Sequence, residues 1–202
     1  MFLVPALAAL SSSASWIAVT FFGGSICFTS ASLLQLVTAA ELPHRIRPKR
    51  ERRPLRPRAW LSATVDWLGA AIQFPGTILF NISTFAAMNT ALTMHQANVR
   101  VWAPDVIGSA CFLVSSLLAF ANSEHRWLSW RPGDLDWWIA ASNLLGSIAF
   151  GVSALASYVS PATGLAVHGD LANLSTAFGA LGFLVGAVLL APQAQRQIIQ
   201  TG

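Results

Sequence analysis

The stretch Gly146-Ser147-Ile148-Ala149-Phe150-Gly151-Val152-Ser153 places a glycine, a small residue, a phenylalanine and another small residue at positions 0, +1, +4 and +7. The same spacing occurs in four more stretches, which begin at Gly24, Gly76, Gly108 and Gly179. Positions 0, +4 and +7 share one face of a helix. Each stretch lies near the middle of an apolar segment about as long as the roughly 20 residues that a membrane-spanning helix needs. The sequence therefore predicts an all-α integral membrane bundle of five transmembrane helices with one repeated packing motif.

Composition also indicates a membrane protein. The chain has 202 residues, of which 54% are hydrophobic and 10% charged, against roughly 25% charged in an average soluble domain. We predict spans at 16–39, 67–91, 104–121, 137–158 and 171–191 from apolar length and flanking residues. Because these spans occupy most of the sequence, residues 1–202 are expected to form a single transmembrane domain.

The glycines of the motif are predicted to be helix-packing positions. They are Gly24, Gly76, Gly108, Gly146 and Gly179. Small residues let two helix backbones approach closely, which strengthens their packing in lipid. The phenylalanines at position +4 are expected to fill the space beside these close contacts.

The net charge of +4 comes mainly from one segment, residues 41–58. Its basic residues are Arg45, Arg47, Lys49, Arg50, Arg52, Arg53, Arg56 and Arg58. This clustering between two spans argues against nucleic-acid binding and predicts an extended cytoplasmic loop on the anionic inner leaflet, where each cation contributes about 1 kcal/mol. Setting the topology is the simpler role of the loop, and recognition of anionic lipid headgroups or an acidic partner is the alternative.

The distribution of Lys and Arg also predicts the orientation. With segment 41–58 inside, eleven of the twelve cations lie on one side, and Arg100 alone lies on the other. By the positive-inside rule, we expect a multi-pass protein of the cell membrane with its N-terminus outside and its C-terminus in the cytoplasm. Because no Lys or Arg precedes Arg45, we do not expect a cleaved signal peptide.

Polar residues follow one face of the second predicted span. They are Asp66, Gln73, Thr77, Asn81 and Thr84, and Asn143 of the fourth span stands at the motif position that Gln73 has in the second. Polar groups at membrane depth are costly unless they face protein or water. The face can therefore provide hydrogen bonds between helices or line a polar pathway for a small solute, and both interpretations stay open.

The sequence contains no recognisable catalytic arrangement. A His-x-x-x-His pair, a glycine-rich phosphate loop and a nucleophile elbow are all missing from it. His95 and His168 could form a metal site only together with Asp105 or Asp170, without the usual ligand spacing. We therefore expect no enzyme activity, no cofactor and no metal. Cys27 and Cys111 are expected to be small buried hydrophobic residues rather than a disulfide pair.

Residues 16–31 and 138–153 each begin with a tryptophan and end with the glycine and phenylalanine motif. In this respect the spans resemble the YrhK-like small multi-pass membrane proteins of bacteria. The resemblance implies a membrane fold, and these proteins have no assigned activity. It covers the spans and does not extend to the basic loop.

These features predict an accessory or structural membrane protein. The expected partners are the lipid bilayer, anionic lipids at the basic loop, and a second copy of the chain or another membrane protein. The alternative is a small-solute or ion transporter or channel. Because five spans are few for an alternating-access transporter, this alternative implies an oligomer.

Overall fold

The computed structural model describes residues 14–45, 57–124 and 133–201, with side chains for 16–40, 64–122 and 133–190. Within these ranges, every regular element is helical. The helices are α1 (Ala14–Arg45), α2 (Pro57–Ala86), α3 (Met94–Ala97), a π-helix (Asn98–Trp102), α4 (Ala103–Glu124), α5 (Leu135–Ala156) and α6 (Gly169–Thr201).

Four helical segments are long and apolar enough to cross a membrane. They are Trp16–Ala40, Met94–Asn122, Leu135–Ala156 and Gly169–Leu190. Helix α2 is not among them, because polar residues such as Gln73 and Asn81 lower its apolar content. The sequence predicts five spans, whereas the length and apolar composition of the described helices support four.

Several helix ends differ from the predicted span ends. Helix α1 continues to Arg45 and α2 begins at Pro57, so both ends of the predicted loop 41–58 are helical. Apolar length measures only the hydrocarbon depth, whereas a helix can continue with polar residues beyond it. Residues 46–56, with six of the eight predicted lipid-binding cations, lie outside the described residues, and so do the side chains of Arg45 and Arg58.

The helix that contains the third predicted span begins ten residues earlier than expected. Thr93 caps Met94–Ala97 by accepting a hydrogen bond from the Gln96 backbone, and the Gln96 side chain accepts one from the Thr93 backbone. The π-helix Asn98–Trp102 then joins this turn to α4. Pro104 lacks an N–H and would collide with the carbonyl one turn earlier in a regular helix. A π turn immediately before it relieves that conflict.

The long helices pack as antiparallel neighbours in the order α1, α2, α4, α5, α6. Between α1 and α2, residues 25 and 35 contact residues 84 and 73, so the numbers rise on one helix as they fall on the other. The other neighbouring pairs show the same trend. Four antiparallel steps leave α1 and α6 parallel. Phe28 of α1 and Phe183 of α6 meet with ring centroids 4.9 Å apart.

In two of the four interfaces between antiparallel neighbours, the helix backbones touch at glycines. A β-carbon on Gly108 of α4 would lie 2.9 Å from the carbonyl oxygen of Gly76 of α2, and one on Gly146 of α5 would lie 2.9 Å from that of Gly179 of α6. A β-carbon on Gly182 would lie 2.8 Å from the α-carbon of Gly146. Real β-carbons do not approach other atoms so closely, so these positions require glycine.

One phenylalanine from each long helix contributes to the centre of the bundle. Phe80, Phe112 and Phe150 are buried, and Phe28 and Phe183 pack against them. Phe112 is completely buried, and its ring lies 5.3 to 6.1 Å from the four others. These are typical distances for edge-to-face aromatic pairs. The rings fill the space that the close backbone contacts leave in the middle of the bundle.

The loop between α5 and α6 is fixed to the start of the third long helical segment. The Asn98 side chain donates to the Val159 carbonyl at 2.8 Å and accepts from the Val159 N–H at 3.0 Å. Trp102 donates from its indole nitrogen to the Ala154 carbonyl at 3.0 Å. These contacts set the position of α5 relative to α4 at this end of the bundle.

We expect Gly146→Ala to destabilise the protein and Gly151→Ala to leave it unchanged or stabilise it. The added methyl at position 146 would collide with the Gly179 backbone, whereas nothing lies within 4 Å of a β-carbon at position 151. The collision should cost about 1–3 kcal/mol, and alanine at an open helix position should gain up to about 1 kcal/mol over glycine. Thermal unfolding in detergent measures both. A lower melting temperature for Gly151→Ala than for Gly146→Ala would contradict the glycine contact.

Candidate functional site

Three of the predicted pathway residues in α2 lie at or near the interface with α1. Asn81 donates from Nδ2 to Thr29 Oγ1 at 2.9 Å, and Thr84 shares a hydrogen bond of 2.9 Å with Ser25. Thr77 is completely buried and donates to the Phe74 carbonyl of its own helix. The Asn81 and Thr84 side chains therefore connect the two helices, and that of Thr77 bonds within α2.

The other two predicted pathway residues of α2 contact α4. Ser115 donates to Gln73 Oε1 at 3.1 Å, and Asn122 donates to Asp66 Oδ1 at 2.7 Å. Gln73 also donates from Nε2 to Gln35 Oε1 of α1 at 3.1 Å, so it connects three helices. The predicted polar face of α2 is thus divided between two interfaces and does not form one continuous lining.

The interface between α4 and α5 is also built on hydroxyl groups. Ser116 and Ser147 share a hydrogen bond of 2.7 Å, and Ser147 lies 3.1 Å from the Phe112 carbonyl. The pair has the same motif positions, +8 and +1, as Thr84 and Ser25. Equivalent positions therefore make equivalent contacts at two separate interfaces.

A cavity of about 520 Å³ lies between α1 and α6. It is lined mainly by residues of these two helices, with Gln73 and Phe80 from α2 and Asn143 and Phe150 from α5. Its volume is typical of the 300–1,000 Å³ pockets that hold small molecules. Gly24 lines this cavity, whereas the other four motif glycines form the α2–α4 and α5–α6 contacts.

Polar groups in the cavity wall come from three helices. Gln35 and Gln73 contribute the hydrogen-bonded amide pair, and Asn143 contributes a third amide. Asn143 packs against Gly186, where its Oδ1 would lie 2.5 Å from an added β-carbon. The structure brings Gln73 and Asn143 to the same cavity, as their shared motif position suggests, and places Asn81, Thr84 and Asp66 elsewhere.

Ser32 is a cavity residue that is not among the predicted site residues. Its side chain is 1% exposed, it lines the cavity, and its Oγ has no hydrogen-bond partner within the described residues. The missed signal is position +8 of the motif, which is Ser32, Thr84 and Ser116 in the first three copies. The other two make hydrogen bonds to a neighbouring helix, and Ser32 makes none.

Both cysteines are free, and Cys27 differs from expectation. It is exposed and lines the cavity rather than being buried, because its side of α1 faces the gap toward α6. Among the described residues, no group of three or more His, Cys, Asp or Glu side chains lies close enough together to hold a metal ion.

Comparisons with known proteins provide no relative. No family model, no curated protein and no solved structure matches the chain.

We expect Ser25→Ala to destabilise the protein slightly and Ser32→Ala not to. Both serines are 1% exposed and lie on the same helix, but only Ser25 is bonded to another helix, through Thr84. Losing such a bond between membrane helices costs about 0.6 kcal/mol. Removing an unpaired buried hydroxyl costs no hydrogen bond. Thermal unfolding of the two variants side by side tests this, and an equal loss of stability in both would contradict the assignment.

Proposed function

We propose that this chain is a polytopic membrane protein with five spans and an accessory or structural role, without enzyme activity of its own. The main support is that polar side chains in the middle of the helices bond to neighbouring helices. Asn81 pairs with Thr29, and Ser116 pairs with Ser147. Such bonds hold helices together where water is scarce. They also occupy the groups that a polar pathway would need to expose.

Helix α2 is proposed as the fifth span because of its position in the bundle. It packs between α1 and α4 and is antiparallel to both. Gly76 of α2 is in backbone contact with Gly108. We expect a helix held in this way between two apolar helices to cross the bilayer with them. Its polar residues are tolerated because their partners are on neighbouring helices.

The five motif stretches are proposed to be one internal repeat. Two glycine contacts, Gly76 with Gly108 and Gly146 with Gly179, support it, and so do the two hydroxyl pairs at positions +1 and +8. A fold built by repeated helix packing agrees with the resemblance to the YrhK-like proteins, which implies a membrane fold and no known activity.

The proposed location is the cell membrane, with the N-terminus outside and segment 41–58 in the cytoplasm. The support is the distribution of Lys and Arg, eleven of twelve of which would lie inside. Anionic lipids are the proposed contact of the basic segment, since cations next to a membrane surface attract acidic headgroups. The accessory role implies a protein partner in the membrane, either a second copy or another chain.

A small-solute or ion transporter or channel, acting as an oligomer, is the second candidate. The observation in its favour is that Gln73 and Asn143, two predicted pathway residues, both line the cavity. Against it, Asn81 and Thr84 bond to α1. The polar groups of α2 therefore do not continue from the cavity along the helix.

The orientation predicts which engineered cysteines react from outside. In a protein with Cys27 and Cys111 replaced by alanine, Ala162→Cys in the exposed α5–α6 loop should react with an impermeant maleimide added to intact cells. Lys49→Cys should react only after the membrane is opened. In opened membranes rich in phosphatidylglycerol, Lys49→Cys should react faster at high salt, because salt weakens the attraction of the loop to the lipid. Reaction of Lys49→Cys in intact cells would reverse the orientation.

The accessory role predicts that a cysteine at position 81 is protected. The Asn81 Nδ2 is bonded to Thr29, and its Oδ1 is buried without a partner within the described residues. In the same cysteine-free background, Asn81→Cys should not react with a small impermeant thiosulfonate, whereas Ala162→Cys reacts readily. Rapid modification of Asn81→Cys, at a rate that a solute changes, would instead favour the transporter.

A further inference from the structure

Within the part of the chain that the structure describes, the cavity between α1 and α6 is lined by no charged side chain. Its wall consists of aliphatic and aromatic residues, small residues, and the polar groups of Thr20, Ser32, Gln35, Gln73 and Asn143. Burying an ion here without a counter-charge would be strongly unfavourable. An occupant of this cavity therefore has to be uncharged, at least in the part that enters it.

Two polar side chains in the wall make no hydrogen bond to the described part of the chain. Ser32 Oγ is almost fully buried and has no partner there, although buried polar atoms in proteins are nearly always bonded. The Asn143 side-chain amide makes no hydrogen bond within the described residues either, while its backbone carbonyl accepts from Ser147 at 3.0 Å. An amide and a hydroxyl together offer both donors and acceptors. They would be satisfied by a ligand with a neutral polar head.

The rest of the wall is suited to an apolar body. Phe28, Phe80, Phe150 and Phe183 form the side of the cavity that faces the bundle centre. Predominantly apolar and aromatic walls with a few polar groups are typical of small-molecule sites.

We propose that this cavity binds one uncharged amphiphile, with its apolar body against the phenylalanines and its hydrogen-bonding head at Ser32 and Asn143. The ligand class includes a neutral lipid from the bilayer and a neutral aromatic or aliphatic solute from water, which share this chemistry. The proposal goes beyond the accessory role, because it depends on the cavity and not on the number of spans.

A matched pair of photoreactive probes tests the charge requirement. 4-Benzoylbenzyl alcohol and 4-benzoylbenzoate share one aromatic body, and only the second is charged. On irradiation of the full-length protein in detergent, the alcohol should label peptides that contain cavity residues about tenfold more than the benzoate does, because the site offers no counter-charge. Mass spectrometry gives the yield and the labelled positions. Equal labelling by both probes would overturn the proposal.

A matched pair of glycine variants tests the location. A β-carbon at Gly23 of the cavity wall or at Gly151 of α5 meets nothing within 4 Å, so a side chain can begin at both positions without a collision. Gly23→Leu should lower labelling by the alcohol about fivefold, because its side chain would fill part of the cavity. Gly151→Leu, which lies outside the cavity lining, should label like the unmodified protein. Equal labelling of the two variants would show that the probe binds elsewhere.

The head-group contact is tested with Ser32→Ala against Ser25→Ala. Loss of one hydrogen bond to the probe should lower the alcohol's labelling about threefold in Ser32→Ala, without lowering its melting temperature. Ser25→Ala, whose hydroxyl bonds to Thr84, should keep the labelling. Unchanged labelling in Ser32→Ala would remove this residue's assigned role and overturn the head-group contact.

Competition distinguishes the two sources of ligand. Displacement of the alcohol probe by monoolein, but not by oleate, would assign a neutral lipid, and displacement by water-soluble benzyl alcohol would assign a solute. Displacement by neither would overturn the ligand class. None of these outcomes bears on the accessory role, which the protection of a cysteine at position 81 tests separately.

Discussion

Close backbone contact between glycines is the constraint on which the rest of the bundle depends. Where Gly76 meets Gly108 and Gly146 meets Gly179, a carbonyl oxygen of one helix lies where a side chain of the other would begin. In lipid, helices gain little from hydrophobic burial against each other and rely on such contacts. Close crossings leave space beside them, and the phenylalanine at position +4 occupies it. The fully buried Phe112, in contact with four other rings, is the result.

The direction in which neighbouring helices run explains where the cavity lies. Hydroxyl pairs join α1 to α2, α4 to α5 and α5 to α6, and glycine contacts join α2 to α4 and α5 to α6. All of these contacts join antiparallel helices. A ring of five helices cannot close with antiparallel neighbours only, so α1 and α6 meet in parallel. At this junction Ala180 replaces the hydroxyl that the other copies carry at position +1. Phe28 and Phe183 meet, and a gap remains beside them.

The helical fold could be predicted from the sequence, since spacing and apolar length act within one helix. The start at Met94 could also have been found, because Thr93 and Gln96 form a capping box that is visible in the sequence. Which glycines meet could not be predicted, because that depends on the order of the helices in space. The cavity could not be predicted for the same reason. Ser32 and Thr84 share a motif position, yet only the neighbouring helix decides which of them is bonded.

Hydrogen bonding between helices and ligand binding therefore use different polar groups. Three side chains hold antiparallel helices together by hydrogen bonds to the neighbouring helix, namely Asn81, Thr84 and Ser116. Ser32 and Asn143 line the cavity beside the parallel junction of α1 and α6, and within the described residues their side chains keep unused hydrogen-bonding capacity. A buried polar group without a partner lowers stability. Ser32 Oγ is such a group beside a cavity, where a ligand can supply the partner, whereas the equally unpartnered Asn81 Oδ1 lies away from the cavity.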